Sequence, residues 1–233
     1  MNLSNVSTGR VTYEERQRNL YFLKVLYTLF AITLFVTVLW SSFALGFFDE
    51  FGAGVLLWWE FAIATGVLCL VLIAVAFLIP AAQHIPISIV VYVLFTVCFM
   101  HFWGWVSLVD PSRLVYYGLW LLLAIAIAYA IYAWSTSTYM NSLISILITG
   151  VAALLVFVAF LIFSEVSFLG LLLVLLGVLV YGFYINYDIR KMVRGGIQDY
   201  SREDPWSGAV RIWMESVFVF CRFIELLGRS CCK

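Results

Sequence analysis

The chain has 233 residues, of which 65% are hydrophobic, 18% are aromatic and only 11% are charged. An ordinary soluble domain carries about 25% charged residues, so this composition excludes a soluble globular protein and indicates a polytopic membrane protein. The formal net charge is zero, and all of the 13 basic residues except Arg113 lie before residue 25 or after residue 189. This distribution leaves no basic surface for nucleic acid.

Six apolar stretches are long enough to cross a membrane, which takes about 20 residues of helix. Charged, proline or small polar residues mark the short connections between them. The predicted spans are residues 21–47, 54–79, 86–108, 114–134, 142–163 and 166–187. We therefore expect an amino-terminal segment at 1–20, one membrane domain at 21–228 and a short tail at 229–233.

The segment at 206–227 is apolar, yet it contains four charged residues: Arg211, Glu215, Arg222 and Glu225. At the helical angle of about 100° per residue they fall within an arc of about 80°, so they form one stripe. A stripe facing lipid would be costly, which favours a stripe that faces the bundle interior or a wet cavity. An interfacial amphipathic helix with its stripe in water is the alternative. If the stripe faces the interior, the charges do not decide whether the segment crosses the membrane fully or re-enters on the same side.

Basic residues in short loops favour the cytoplasmic side of a membrane. With a cytoplasmic amino terminus, the far side receives only Arg113, whereas the cytoplasmic side collects Arg10, Arg16, Arg18, Lys24, Arg190, Lys191, Arg194 and Arg202. Glycosylation acceptor triplets at Asn2 and Asn5 oppose this orientation, because they are usable only in the lumen. Such triplets are common by chance, so we predict that the segment 1–20 is cytoplasmic.

Two acids are the best candidates for a functional site. Asp188 directly follows the sixth predicted span, and Glu215 lies about midway along the last segment. Antiparallel packing of these two helices would bring the carboxyls together, where they would share one proton and respond to pH. When both are ionised, their oxygens suit a hard cation such as calcium. The alternative is a solvated Asp188 with a separate Arg211 to Glu215 salt bridge at i,i+4 spacing.

Other polar residues predict less. Glu60 follows two tryptophans at the start of the second span, which favours a glutamate in the headgroup belt over a pore ligand. The chain has two histidines, too few for a three-histidine zinc site, and no convincing nucleophile or phosphate loop, so we expect neither an enzyme nor a bound cofactor.

The five cysteines imply no disulfide framework. Cys231 and Cys232 would suit palmitoylation, although an inert tail is favoured.

Four stretches together resemble a known family. They are FLKVLYTLFAITLFVT at 22–37, HIPISIVVYVLFT at 84–96, GVLVYGFYINYD at 177–188 and AVRIWMESVFVFCRFIELLGR at 209–229. Their order is similar to that of the transmembrane Bax-inhibitor-motif family, which includes the lifeguard and Golgi anti-apoptotic proteins. The last two stretches carry the more specific likeness.

The resemblance implies an all-α bundle of seven helices in which six spans surround a central carboxy-terminal helix. It also implies a pH-sensitive calcium leak, or viroporin, in endoplasmic reticulum or Golgi-type membranes that modulates stored calcium and inhibits cell death. Its expected partners are the lipid bilayer and calcium, the permeant ion. The family's paired acids match Asp188 and, with glutamate in place of aspartate, Glu215.

The chain also departs from the family. Phe99 stands where the family often has glutamate, and neutral residues replace a charged loop at 135–142. Prokaryotic members hold the acid pair with an arginine of the second helix, but no Lys or Arg occurs from 25 to 112. We expect the supporting charges to come from later residues: Arg190, Arg211, Arg222 and Glu225.

So much drift indicates a divergent member, of the kind carried by large DNA viruses such as cytomegaloviruses. The loss of charge also favours a second hypothesis about function. In that hypothesis the chain conducts no ions and acts as a membrane-embedded interaction protein, which binds and redirects host or neighbouring membrane proteins.

Overall fold

The structure, a computed structural model, describes residues 13–51, 59–79, 84–110, 112–136, 142–164, 166–193, 204–210 and 212–213. Six long helices make up most of this part of the chain: α1 Tyr13–Phe51, α2 Trp59–Leu78, α3 Ile87–Val109, α4 Leu114–Ser135, α5 Ser142–Phe163 and α6 Phe168–Val193. Residues 205–210 and 212–213 are also helical, and the described residues contain no strand. The predicted all-α fold class is confirmed.

All six long helices are apolar and long enough to cross a membrane, which confirms the six predicted spans. Two of them extend further than predicted. α1 begins at Tyr13, before the expected start, and α6 continues to Val193 beyond the expected end at residue 187. The length of an apolar stretch predicts only the part of a helix that lies in the hydrocarbon core. It does not predict polar residues that continue the helix on either side of the membrane.

The turn between α3 and α4 is organised by Asp110, as the Asp-Pro-Ser-Arg sequence predicts. Asp110 Oδ1 accepts hydrogen bonds from the backbone N–H of Ser112 at 3.0 Å and from its hydroxyl at 2.5 Å. Asp110 Oδ2 accepts one from the backbone N–H of Val115 at 2.8 Å. The carboxylate thus satisfies donors that the first turn of α4 leaves unpaired.

α1 packs against both α3 and α4, and its membrane-length stretch is buried to a greater extent than that of any other of the six long helices. α2 packs against α3 on one side of the bundle, and α5 and α6 pack against α4 and each other on the other side. α1 and α3 approach closely at Gly104, where an added Cβ would lie 2.5 Å from Cδ1 of Trp40. The outward residues of α2, α5 and α6 are mostly large and apolar, as lipid-facing surfaces require.

Small residues let helices approach closely, so the sequence predicts close helix packing at two glycines of α6, Gly177 and Gly182. The prediction is confirmed for Gly182, where an added Cβ would lie 3.0 Å from Thr149 of α5. It is wrong for Gly177, which is exposed and has no atom within 4 Å of its added Cβ. The two positions differ because Gly182 lies on the buried face of α6, whereas Gly177 lies on the outward face.

The described start of the last segment lies inside the bundle, between α1 and α3. An added Cβ on Gly208 would lie 3.1 Å from Cζ of Phe22, and the Trp206 ring lies 5.3 Å from the ring of Tyr92. Val210 and Ile212 are 0% and 1% exposed. An interfacial helix would leave one face in water, so the interior alternative holds for these described residues, which is consistent with the predicted bundle.

Candidate functional site

Asp188 lies within α6 and not at its end, because the helix continues for five more residues to Val193. It directly follows the membrane-length stretch of α6, which ends at Tyr187 as predicted. Its neighbours Asn186 and Ile189 are 2% and 0% exposed. The side chains of Asp188 and Arg190 lie outside the described part of the chain.

A buried hydrogen bond fixes the turn of α6 that carries Asp188. The Tyr27 hydroxyl of α1 donates to Oδ1 of Asn186 at 2.9 Å, and both residues are buried. In a low-dielectric interior such a bond is strong, and losing one partner leaves the other unsatisfied. The rotation and depth of this turn are thereby fixed relative to α1.

A second group of hydroxyls continues this network into α4 and α5. The Tyr27 ring lies 5.4 Å from the ring of Tyr129, whose hydroxyl forms hydrogen bonds with Ser145, at 3.1 Å, and with Thr149. Thr149 also donates to the Ser145 carbonyl at 2.8 Å. Buried hydrogen bonds thus join α1 to α6 and α4 to α5, and the contact between the Tyr27 and Tyr129 rings joins the two pairs.

The segment that leads to Glu215 is attached to the same part of α1. The rings of Trp213 and Phe30 stack with centroids 4.9 Å apart, and Trp213 also lies 4.3 Å from the ring of Phe99. Phe30 is three residues from Tyr27, so one turn of α1 contacts both α6 and the last segment. The predicted residues Arg211, Glu215, Arg222 and Glu225 lie outside the described residues, so their meeting with Asp188 stays a prediction.

Asp204 is a structural carboxylate that was not predicted, because it stands in a polar connection. Asp204 is 4% exposed and accepts a hydrogen bond from the backbone N–H of Trp206 at 3.1 Å. The Asp204 carbonyl accepts another from Gly208 at 3.4 Å. An aspartate just before a Pro-Trp pair is typical of a helix start, which is the signal that identifies it.

Glu60 and the histidines lie away from this region. Glu60 is exposed in the first turn of α2, beside the exposed Trp59, so it lies on the outside of the bundle, and its position among headgroups stays a prediction. His101 is buried, with its ring 4.6 Å from Phe61 and 6.2 Å from Trp40. The described side chains form no group of three or more His, Cys, Asp and Glu.

Comparison with protein families gives one match. The family model described as "Inhibitor of apoptosis-promoting Bax1" matches residues 19–231. The matched region includes all six membrane-length helices, the last segment and both candidate acids, Asp188 and Glu215. Comparisons with curated proteins and with solved structures give no significant match.

Proposed function

Because the chain belongs to the family of inhibitors of apoptosis-promoting Bax1, we propose that it is a calcium-permeable leak channel of intracellular membranes. In this proposal its flux depends on pH, and it inhibits cell death by modulating stored calcium. Endoplasmic reticulum or Golgi-type membranes are the proposed location. Six membrane-length helices and the buried start of a last segment, at residues 204–213, support a channel-like membrane protein.

The observation that carries the proposal is the attachment of two helical segments to one turn of α1. Tyr27 binds Asn186, two residues before Asp188, and Phe30 stacks on Trp213, two residues before Glu215. Asp188 and Glu215 thus each lie two residues after a side chain that contacts α1. Both contacts are made by one turn of α1, which supports an approach of the two chain segments that carry the acids, although the acids are 27 positions apart in the sequence.

The acid pair then acts as a proton-sensitive latch. Two carboxyls in a poorly hydrated site share one proton, and the hydrogen bond between them holds α6 and the last segment together. When the shared proton leaves, the two carboxylates repel each other and offer ionised oxygens to a hard cation such as calcium. Loss of the proton therefore favours the open state in this proposal.

Calcium flux into liposomes containing the purified protein tests this function. The wild type should pass calcium with a flux that changes with pH, and Asp188→Asn combined with Glu215→Gln should remove the pH dependence. Glu60→Gln, which changes an exposed acid of α2, is the matched control and should leave the pH response unchanged. A full pH response in the double variant would overturn the latch.

The alternative function predicts a different result. If the protein conducts nothing and instead binds neighbouring membrane proteins, liposomes should show no calcium flux at any pH, while cells that express the protein remain protected from death. Substitution of large exposed aromatic residues on the outward helix faces should then abolish protection. That combination would replace the leak channel by the interaction protein.

The proposed orientation places the amino terminus in the cytoplasm. It is supported by the basic residues, which collect on that side according to the rule for short loops. A mobility shift on glycosidase treatment that disappears after Asn2 and Asn5 are replaced by Gln would reverse the orientation. No such shift is expected.

A further inference from the structure

Lys24 is a cation within the membrane-length part of α1. It lies four residues after Leu20, where that stretch begins, which is about 6 Å along the helix. Lys24 is half-buried, and among the residues that the structure describes it forms no salt bridge with a carboxylate. An ammonium group at this depth is costly unless it reaches the membrane surface or contacts an anion.

A tryptophan of α4 contacts this cation and is itself held in place by α1. Lys24 Nζ lies over the Trp134 ring, 5.4 Å from its centroid, which is a cation–π distance. The indole N–H of Trp134 donates to Thr28 Oγ1 at 2.9 Å, and the Thr28 hydroxyl donates to the Lys24 carbonyl at 2.8 Å. These two hydrogen bonds orient the ring, so its face is presented to the ammonium group.

The ring contact leaves the charge of Lys24 without a counter-ion. An aromatic face attracts a cation but carries no net charge, and an ammonium group has three N–H donors. Tyr21, which is 63% exposed, lies three residues before Lys24 on the same face of α1. Its hydroxyl is a further donor at this end of the bundle. Such donors suit an anionic oxygen, as in a phosphate group.

The surface beside Lys24 is apolar on both helices. On α1, Ile32 and Phe35 are 45% and 49% exposed, and at 100° per residue both lie within about 80° of Lys24. On α4, Ile131 and Trp134 lie one turn apart and are 62% and 56% exposed. A free phosphate ion gains nothing from such a surface, whereas the acyl chains of a lipid are apolar and pack against it. The surroundings of the cation therefore favour a lipid over a soluble anion.

We propose that Lys24, Tyr21 and Trp134 form a binding site for the phosphate group of an anionic phospholipid. The Lys24 ammonium and the Tyr21 hydroxyl donate to phosphate oxygens, Trp134 positions the ammonium, and the acyl chains lie along the exposed apolar residues of α1 and α4. This end of α1 is the one that we place in the cytoplasm, and cytoplasmic leaflets contain the anionic lipids. A zwitterionic headgroup carries its own cation, which competes with Lys24 for the phosphate, so the site prefers a headgroup with net negative charge.

Native mass spectrometry of the full chain in detergent, titrated with phosphatidylserine, tests the site. The wild type should bind phosphatidylserine more tightly than phosphatidylcholine with the same acyl chains. Lys24→Gln should weaken phosphatidylserine binding by about tenfold, the effect of one hydrogen bond to a charged group, whereas Lys24→Arg should retain it. Arg113→Gln is the matched control, because it removes an exposed basic residue at the other end of α4, and it should leave binding unchanged.

Trp134→Leu tests the positioning role of the ring. This variant keeps an apolar side chain next to lipid but removes the aromatic face and the bond to Thr28, so phosphatidylserine binding should fall by about threefold, the effect of an exposed cation–π contact. Phosphatidylcholine binding should change little in the same variant. An equal loss for both lipids would show that Trp134 only packs against acyl chains and would contradict its role beside Lys24.

Three results would overturn the site. Unchanged phosphatidylserine binding in Lys24→Gln would remove the cation from it, and an equal loss in Arg113→Gln would show that the lipid responds only to overall charge. Displacement of the lipid by an equal concentration of glycerophosphoserine, the same headgroup without acyl chains, would indicate a site for a soluble phosphate compound. Thermal unfolding without lipid, which should be similar in all variants, separates lost binding from lost folding. No readout uses calcium flux, so the channel function is tested separately.

Discussion

The Tyr27 hydroxyl of α1 donates a hydrogen bond of 2.9 Å to Asn186 of α6, across 159 positions of sequence. Asn186 is 2% exposed and Tyr27 is 3% exposed, so neither group has bulk water as a substitute partner. The bond lies two residues before Asp188. It therefore links the stability of the bundle to the position of the proposed latch.

Tyr27→Phe should destabilise the protein by about 1–3 kcal/mol, because it leaves the buried amide of Asn186 without its donor. The same change should shift the pH at which calcium flux is half-maximal, since the turn that carries Asp188 is no longer fixed. Tyr187→Phe is the control, because Tyr187 is 65% exposed on the same helix. Thermal unfolding in detergent and liposome flux measure the two effects, and equal behaviour of the two variants would contradict the role of the bond.

Replacing both partners of this bond should cost less than the single changes suggest. Tyr27→Phe combined with Asn186→Leu removes both partners of this bond, so neither partner is left unsatisfied by loss of the other, and part of the lost stability should return. The unfolding midpoint of the double variant is expected to lie above that of Asn186→Leu alone. Strictly additive losses would show that the two side chains are not coupled.

Trp213→Ala should destabilise the bundle by about 3–5 kcal/mol, the usual cost of truncating a large buried aromatic side chain. Trp213 is 6% exposed and lies 4.9 Å from the ring of Phe30 and 4.3 Å from that of Phe99. Trp59→Ala removes a tryptophan that is 46% exposed and should cost much less. Chemical unfolding in detergent compares them, and a similar loss in both would place the last segment outside the core.

Gly182→Ala and Gly177→Ala form a matched pair on α6. At Gly182 the new methyl would lie 3.0 Å from Thr149 and 3.4 Å from Ile125, so overpacking should cost about 1–3 kcal/mol. At Gly177 the methyl meets open space, and the better helix propensity of alanine should stabilise the helix by up to about 1 kcal/mol. Melting temperatures that shift in the same direction would contradict the packing of α6.

The Asp110 carboxylate should make the free energy of unfolding depend on pH in the acid range. Burial disfavours its charged form, but hydrogen bonds from the Ser112 hydroxyl and from the backbone of Val115, Ser112 and Leu114 outweigh burial, and the pKa of Asp110 lies below its usual value. Its contribution is therefore complete above the pKa of unfolded aspartate, about 3.9, and disappears as pH falls through the lower folded value. Asp110→Asn should lack this part of the acid dependence, as pH-dependent unfolding can show, and an identical acid profile would refute it.

The sequence predicted the spans because hydrocarbon thickness imposes one requirement on every crossing helix, and each predicted span overlaps an observed helix. Helix ends were less predictable: α6 continues through Asp188 because the charged residues among 188–193 extend a helix as readily as apolar ones. Gly177 and Gly182 look alike in sequence, and only the packing of α6 against α4 and α5 distinguishes them.

The candidate site was predicted in part. Local spacing and the family resemblance identified Asp188, but the partner of Asn186 is Tyr27, near the other end of the chain, and no periodic pattern indicates a contact between such distant residues. Asn186 in an otherwise apolar run was a visible signal, since a buried amide needs a partner.

The central claim is that Asp188 and Glu215 share a proton inside the bundle. The most direct measurement is the distance between their carboxyl oxygens in an experimental structure of the full chain at a pH where calcium flux is minimal. The account predicts a separation of about 3 Å, within the range of a hydrogen bond. A separation beyond about 8 Å, the screening length at physiological ionic strength, with Glu215 among lipid headgroups would contradict it.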